Sequence, residues 1–373
     1  MHKLPLSFLL LTCVGYWRPT TWPANSLKYW LYNAYSLIMI FLLYLFTFYA
    51  FVDAIISKDL NTTTDKFSLC ISVLGVCMKV ANLFIQRKRI VSVVNSLLKK
   101  IHVPRDEEEM IIQRKFDNHA RKLTLYCEVL NESAASVGTV GQLNQLISTR
   151  TLPISNWAPY DLSSPTIYAA SWIQQTLSLL VCANTSVAHE TLISGLMIQI
   201  SAQFEIFCHR ARSLPALLTE AERLSQSAAD LKIRRKKILK NLIEHQLGIY
   251  KFAHNVNTVF QYMILLQLMV SSMVLCLTIY KMSTAHSLDV NFAWSLSYLC
   301  SMLMQVYLYC WYGNEVTLKS TKVCDAIYQM DWTSLPVSIV KDLLMIMMRS
   351  RKPVKMSSAQ VITLSTESFV TVS

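Results

Sequence analysis

The sequence predicts an all-α polytopic membrane protein, with seven transmembrane helices, a cytoplasmic amino terminus and helices that continue past the membrane into the cytosol. Three observations predict it. Of 373 residues, 53% are hydrophobic and only 16% charged, with a mean hydropathy of +0.34, whereas a soluble chain carries about a quarter charged residues. Long uncharged intervals recur at the roughly 20 residues that a helix needs to cross about 30 Å of hydrocarbon. The basic residues collect in alternate intervening segments, as they do on a cytoplasmic side.

The elements follow in order. Residues 1–28 begin MHKLPLSFLLLTCVGYWRPT, with the charge and apolar core of a short signal peptide. No small-x-small cleavage site precedes Trp17 and Pro19, so an uncleaved cytosolic segment lying on the inner leaflet is expected. The first span lies between Lys28 and Asp53, and the second, 67–86, is interrupted only by Lys79. The third, 123–147, carries Glu128 and Glu132, which must sit near the interface or inside a bundle. The fourth lies between Asp161 and Glu205, broken only by Glu190. No proline follows Pro165 before Arg210, so one helix of about 65 Å is expected, twice the hydrocarbon thickness and protruding into the cytosol. The fifth span lies between Lys251 and Lys281, on a helix expected to start near Lys236. The sixth lies between Asp289 and Glu315.

These spans make residues 29–312 a six-helix membrane bundle with cytosolic extensions. Residues 313–355 form a cytosolic anchor whose amphipathic stretch, 319–346, is too charged to cross. Residues 356–373 begin a seventh helix that carries Glu367 and, at 18 residues, falls short of a full crossing, so an incomplete last helix is expected.

With alternating spans, residues 1–28, 87–122, 209–245 and 312–356 share one side and hold 29 of the 35 Lys and Arg. The other side holds only Lys58, Lys66, Arg150 and Lys281. The positive-inside rule therefore places the amino terminus in the cytoplasm. The net charge of +12 is a topology signal, and KIRRKKILK (232–240) reads as a cytosolic loop rather than a nucleic-acid site. None of the ten cysteines falls in an outer loop, so no disulfide framework is expected. Asn61-Thr-Thr does fall in an outer loop and is a candidate glycosylation site; the sequons at Asn131 and Asn184 lie within spans.

Catalytic and cofactor chemistry finds no footing. Seven glycines are few, and Gly138 with Gly141 lacks the third glycine and the Lys-Ser/Thr of a phosphate-cradling loop. His189-Glu190 opens like a zincin motif, but residue 193 is Ile. The eight histidines show no metal-ligand spacing, and there is neither a C-x-x-C pair nor a G-x-S-x-G elbow. No enzyme activity, metal or cofactor is expected.

Several motifs carry a resemblance. ETLISGLMIQISAQFEI (190–206) resembles the fourth transmembrane helix of insect odorant receptors. QVYLYCWYGNEV (305–316), followed by Ser320, Ala326-Ile327-Tyr328 and Asp331-Trp332, resembles their sixth helix and its cytosolic continuation. The tail resembles theirs through Arg349-Ser350, Lys352-Pro353, Leu364-Ser365, Glu367, Phe369 and Val372. LPISNWAPYDLSSP (152–165) and HQLGIYKF (245–252) add to the match, the former and the fourth helix having the flavour of hymenopteran receptors. The resemblance implies a ligand-specifying subunit of a ligand-gated cation channel, assembled as a heterotetramer with a co-receptor subunit in the plasma membrane of olfactory sensory neurons. Leu364, Glu367, Phe369 and Val372 would then belong to the pore-lining helix, whose family continuation beyond Val372 bears the gate. Residues 209–245 are too short for the enlarged loop of the co-receptor itself. A G-protein-coupled chemoreceptor is the rival reading, opposed by the charge split and by the lack of DRY-type and N-P-x-x-Y motifs. A gustatory receptor of the same superfamily is a second, opposed by the GNEV and tail motifs, and a transporter a third, opposed by the lack of an internal repeat.

A small apolar odorant calls for a largely hydrophobic cavity in the outer half of the bundle. The candidate lining residues are Phe67, Ile71, Leu74 and Met78 in the second span, Ser136, Thr139 and Val140 in the third, Tyr168, Trp172, Gln175 and Leu179 in the fourth, and Phe292, Ser295 and Tyr298 in the sixth. Membrane lipid is the expected surround.

Overall fold

A computed structural model describes residues 4–20, 22–23, 26–56, 60–149, 152, 160–284, 290–332, 335–359 and 361–372. The helices are α1 (Pro5–Cys13), α2 (Leu27–Ile56), α3 (Leu60–Ile85), α4 (Arg87–Ser96), α5 (Glu107–Thr149), α6 (Pro165–Arg212), α7 (Leu214–Arg223), α8 (Ala228–Thr284), α9 (Val290–Tyr328), α10 (Val337–Ser350) and α11 (Thr366–Val372). A two-stranded antiparallel hairpin, β1 (Ser357–Ser358) with β2 (Ile362–Thr363), precedes α11.

The central post is α6, 48 residues long, or about 72 Å. It packs most extensively against α9 and α5, and almost every side chain from Thr185 to Phe204 is buried. Cross-bonds fix the directions. Gln113 meets Gln199 and Asn131 meets Asn184, so α5 runs antiparallel to α6. Ion pairing of Lys319 with Glu205 (2.7 Å) ties the far ends of α9 and α6 together.

Around this post runs an exposed apolar band. On α2, Leu37, Phe41, Tyr44, Phe48, Phe51 and Ile55 are all more than half exposed, a band that water would not tolerate but hydrocarbon does. Among the described residues α2, α3 from Lys66, α6 and α8 are long and apolar enough to cross a membrane. The other two expected spans, in α5 and α9, lie alongside them in the same bundle. α5 is diluted by Glu128 and Glu132, and part of the outer end of α9 lies outside the described side chains.

Three expectations are corrected. Segment 1–28 does not lie on a leaflet: α1 inserts between α5 and α6, with Ser7 Oγ within 3.3 Å of Thr124 Oγ1 and Thr191 Oγ1, and Leu4 seated on Gly195. Phe8, Leu11 and Trp17 join the core. The fifth helix starts at Ala228, two turns before Lys236, because the basic residues between them face outward and do not interrupt a helix. Residues 356–373 are not one helix: the hairpin turns at Ala359 (φ 48°), and helix begins only at Thr366. Leu364 therefore precedes α11, while Glu367, Phe369 and Val372 lie in it. Phe369 packs edge-on against Tyr307 of α9 at 5.7 Å. Asn61 falls in the first turn of α3, its side chain outside the described set, as are residues 153–159 of the 152–165 motif.

At the basic end the helices are joined by polar groups. Gln203 Oε1 accepts from His102 Nδ1 at 3.0 Å and from His245 Nε2 at 3.1 Å, and Gln203 Nε2 donates to the His102 carbonyl. Burial, reinforced by Arg210, lowers the pKa of His102, and it lowers that of His245 well below the ordinary value. Both imidazoles are thus neutral in the fold and still protonate when the chain unfolds. Their contribution to stability is present above the unfolded pKa of about 6.5 and is lost as the pH falls below it. The melting temperature of the detergent-solubilised protein is expected to drop as the pH falls from about 6.5 toward about 5, with His245, the more strongly shifted of the two, contributing more of the drop than His102. His245→Gln should flatten that drop, and an equal slope in both proteins would contradict the assignment.

Candidate functional site

A cavity of about 560 Å³ lies between α3, α5, α6, α8 and α9, within the range of small-molecule sites. Its lining follows one face of each helix. On α3 the spacing is Ser68, Leu69, Ser72, Val73, Val76 and Lys79, a helical stripe about 16 Å long. α6 contributes Leu179, Cys182, Ala183, Ser186, Val187 and Glu190, and α9 contributes Ser295, Tyr298, Ser301, Met302 and Gln305.

The two ends differ. Toward the outer end Tyr298 and Ser72 share a 2.5 Å hydrogen bond between hydroxyls, and Lys66 pairs with Asp53 at 3.0 Å. The middle is mostly apolar: Val73, Val76, Leu179, Val270 and Met302. Toward the basic end Lys79 Nζ donates to Ser186 Oγ (2.7 Å) and Glu190 Oε1 (2.8 Å), and Ser186 Oγ donates to the same Oε1 (2.8 Å). Both charged side chains are nearly inaccessible, 3% and 4% exposed. A buried pair of this kind survives because each charge is matched and further hydrogen-bonded. Beside it Gln267 Nε2 donates to Gln305 Oε1 at 2.6 Å and to Ser271 Oγ at 2.9 Å. The neighbouring His189 packs edge-on to Phe260 at 6.0 Å, so the zincin-like His189-Glu190 pair splits its duties between core and cavity.

The family described as 7tm Odorant receptor matches residues 59–373. The chain belongs to the odorant receptor family. Among curated relatives, Odorant receptor 67a of Drosophila melanogaster is 26% identical over 214 residues, 57% of this chain and 51% of that one. Odorant receptor 85f of the same species is 22% identical over 300 residues, 76% of this chain and 71% of its own. The match thus spans about half of the first relative's length. The insect olfactory receptor OR5 from Machilis hrabei has the same fold, with a TM-score of 0.82 at 15% identity over 98% of this chain and 93% of that one. Its complex with eugenol gives 0.83 at 15% identity over 99% and 94%.

In this odorant receptor the cavity gathers Leu179, Ser295 and Tyr298 of the residues expected from sequence. The others face elsewhere. Phe67, Leu74 and Met78 are about half exposed on the outer face of α3, with Ile71 packed near α8 and α9. Ser136 is exposed, on a different face of α5 from the lining residues Asn131, Ala134 and Ala135, and the half-buried Thr139 lies one turn beyond Ala135, outside the lining. Val140 lies outside the described side chains. Tyr168, Trp172 and Gln175 sit one to three turns beyond Leu179, outside the lining, as does Phe292 on α9. The reason is rotational phase: where a helix is apolar all round, its apolar residues do not say which face is inside. Polar residues in a membrane helix do, because hydrocarbon repels them. Ser68, Ser72 and Lys79 mark the inner face of α3, and Ser186 and Glu190 that of α6.

Proposed function

We propose that this chain is the odorant-binding subunit of an odorant-gated, non-selective cation channel that assembles with a co-receptor as a heterotetramer in the plasma membrane of olfactory sensory neurons. The observation that carries the reading is the cavity: about 560 Å³, mainly apolar, roofed and floored by a few fixed polar groups, as small hydrophobic or lipid-like ligands require. The eugenol complex of the Machilis hrabei receptor supports a small volatile as occupant. The length of α6, α8 and α9 beyond the apolar belt supports assembly, since it provides a helical body at the basic end on which subunits can associate. The charge split supports a cytoplasmic amino terminus.

A panel of volatiles and cuticular lipids applied to cells carrying this chain, with and without a co-receptor, tests the reading. The expected result is an inward cation current only when both subunits are present, unchanged by guanine-nucleotide blockade. A response abolished by that blockade would establish the G-protein-coupled alternative.

A further inference from the structure

The deep end of the cavity is built for one functional group. Lys79 Nζ has three N–H donors and spends two, on Ser186 Oγ and Glu190 Oε1. Glu190 receives both of its hydrogen bonds at Oε1, and among the described residues nothing bonds Oε2. Both side chains line the cavity. An occupant that reaches them therefore meets one spare donor and one spare charged acceptor side by side, at the end of a mainly apolar channel whose neighbouring Gln267 and Gln305 are already bonded to each other.

We propose, on the reading of the cavity as an odorant site, that Lys79 and Glu190 form a hydroxyl-recognising subsite, and that this receptor takes an alcohol or phenol carried on a hydrocarbon body. A hydroxyl is the group that answers both partners, accepting from Lys79 Nζ while donating to Glu190 Oε2. A carbonyl or an ether answers only the lysine. A carboxylate places a second anion against Glu190 where water is excluded, and an amine places a second cation against Lys79; both are opposed by charge repulsion in a low dielectric. The remaining charges at the cavity do not offset this, since Lys66 is paired with Asp53 and Lys281 is engaged. A plain hydrocarbon that fills the channel strips water from the pair and leaves its spare donor and acceptor without partners, which a site built to bond a hydroxyl penalises strongly. The apolar body lies along Val73, Val76, Leu179 and Met302, over the roughly 16 Å that the α3 stripe spans.

The test uses matched sets, each an alcohol with its methyl ether, its carboxylic acid and its parent hydrocarbon, on linear six- to ten-carbon and monocyclic terpenoid skeletons. They are applied to the full chain with its co-receptor, and potency is read from the current. In the wild-type receptor the most active alcohol is expected to be at least about tenfold more potent than its ether, acid and hydrocarbon. Lys79→Met combined with Glu190→Leu removes both charges without leaving either unpaired, and is expected to bring alcohol and ether to within about twofold while retaining responses to the apolar members. Alcohol and ether equally potent in the wild type would overturn the subsite even if the variant never reached the surface, and so would an undiminished alcohol preference in the double variant. A response to no member of any set would overturn the odorant-site reading itself, and the subsite with it.

Discussion

Arg210→Ala is expected to cost about 3–5 kcal/mol, the largest loss of stability from a single substitution at the basic end. Arg210 forks onto Glu109, Nε to Oε1 and Nη2 to Oε2, both at 2.7 Å, and donates to the carbonyls of Ile101 at 2.9 Å and Val103 at 3.1 Å. The Glu109 side chain is 2% exposed. Alanine leaves that carboxylate buried without its partner and strands two carbonyls of the α4–α5 connection. The loss comes from the abandoned charge more than from the bond itself. Pairing Arg210→Met with Glu109→Met should therefore recover much of the stability that Arg210→Ala alone removes. Thermal unfolding in detergent and surface density in cells both read the effect. A double variant as unstable as Arg210→Ala would show that the carbonyl bonds, and not the carboxylate, dominate.

The same contrast between charge and apolarity decides what was legible in the sequence. Helix positions follow from charge gaps and proline spacing, so the long fourth helix is visible as the interval after Pro165. The rotation of each helix is not visible there, because Phe67, Leu74 and Met78 are as apolar as Val73 and Val76. Exposed to lipid, the first three lose nothing, and hydrophobicity cannot rank the two faces. The informative residues were the interruptions. Lys79 in the second span and Glu190 in the fourth are costly inside hydrocarbon unless paired, and their opposite signs at similar depth point to each other. Two such residues fix the phase of α3 against α6, and with it the lining from Ser68 to Lys79. The tail was illegible for another reason. Glu367, Phe369 and Val372 fit a helical pattern, but the hairpin before them depends on Ala359 adopting a left-handed backbone, for which no glycine or asparagine gives a local signal. The docking of α1 depends likewise on Gly195 facing Leu4, a contact between residues far apart in sequence.

Gly313→Ala is expected to unseat the tail while leaving the cavity intact. A Cβ at position 313 would stand 2.4 Å from Leu364 Cβ and 3.1 Å from the Leu364 carbonyl oxygen. Neither atom is the free end of a side chain, so the backbone around Leu364 must move. That segment is pinned on both sides, by Leu364 N–H donating to Met356 O at 2.9 Å and Ser357 N–H donating to Asn257 Oδ1 at 2.9 Å. The strain of such overpacking is about 1–3 kcal/mol, comparable with what holds a short hairpin and a seven-residue helix in place. The α9 residues lining the cavity end at Gln305 and Leu308, eight and five positions before Gly313, about 12 and 7.5 Å away along the helix, and Gly313 is not among them, so ligand contacts should persist. On the proposed channel reading, with cavity and tail sharing α9, the expected result is normal ligand-induced thermal stabilisation with a reduced maximal current and faster proteolysis of residues 351–372. The second-site test is specific to the contact. Leu364→Gly removes the clashing Cβ and should restore current to Gly313→Ala, whereas Leu364→Ala retains that Cβ and should not. Equal rescue by both would mean that the tail is held by Leu364's outer methyls rather than by close approach of the two backbones.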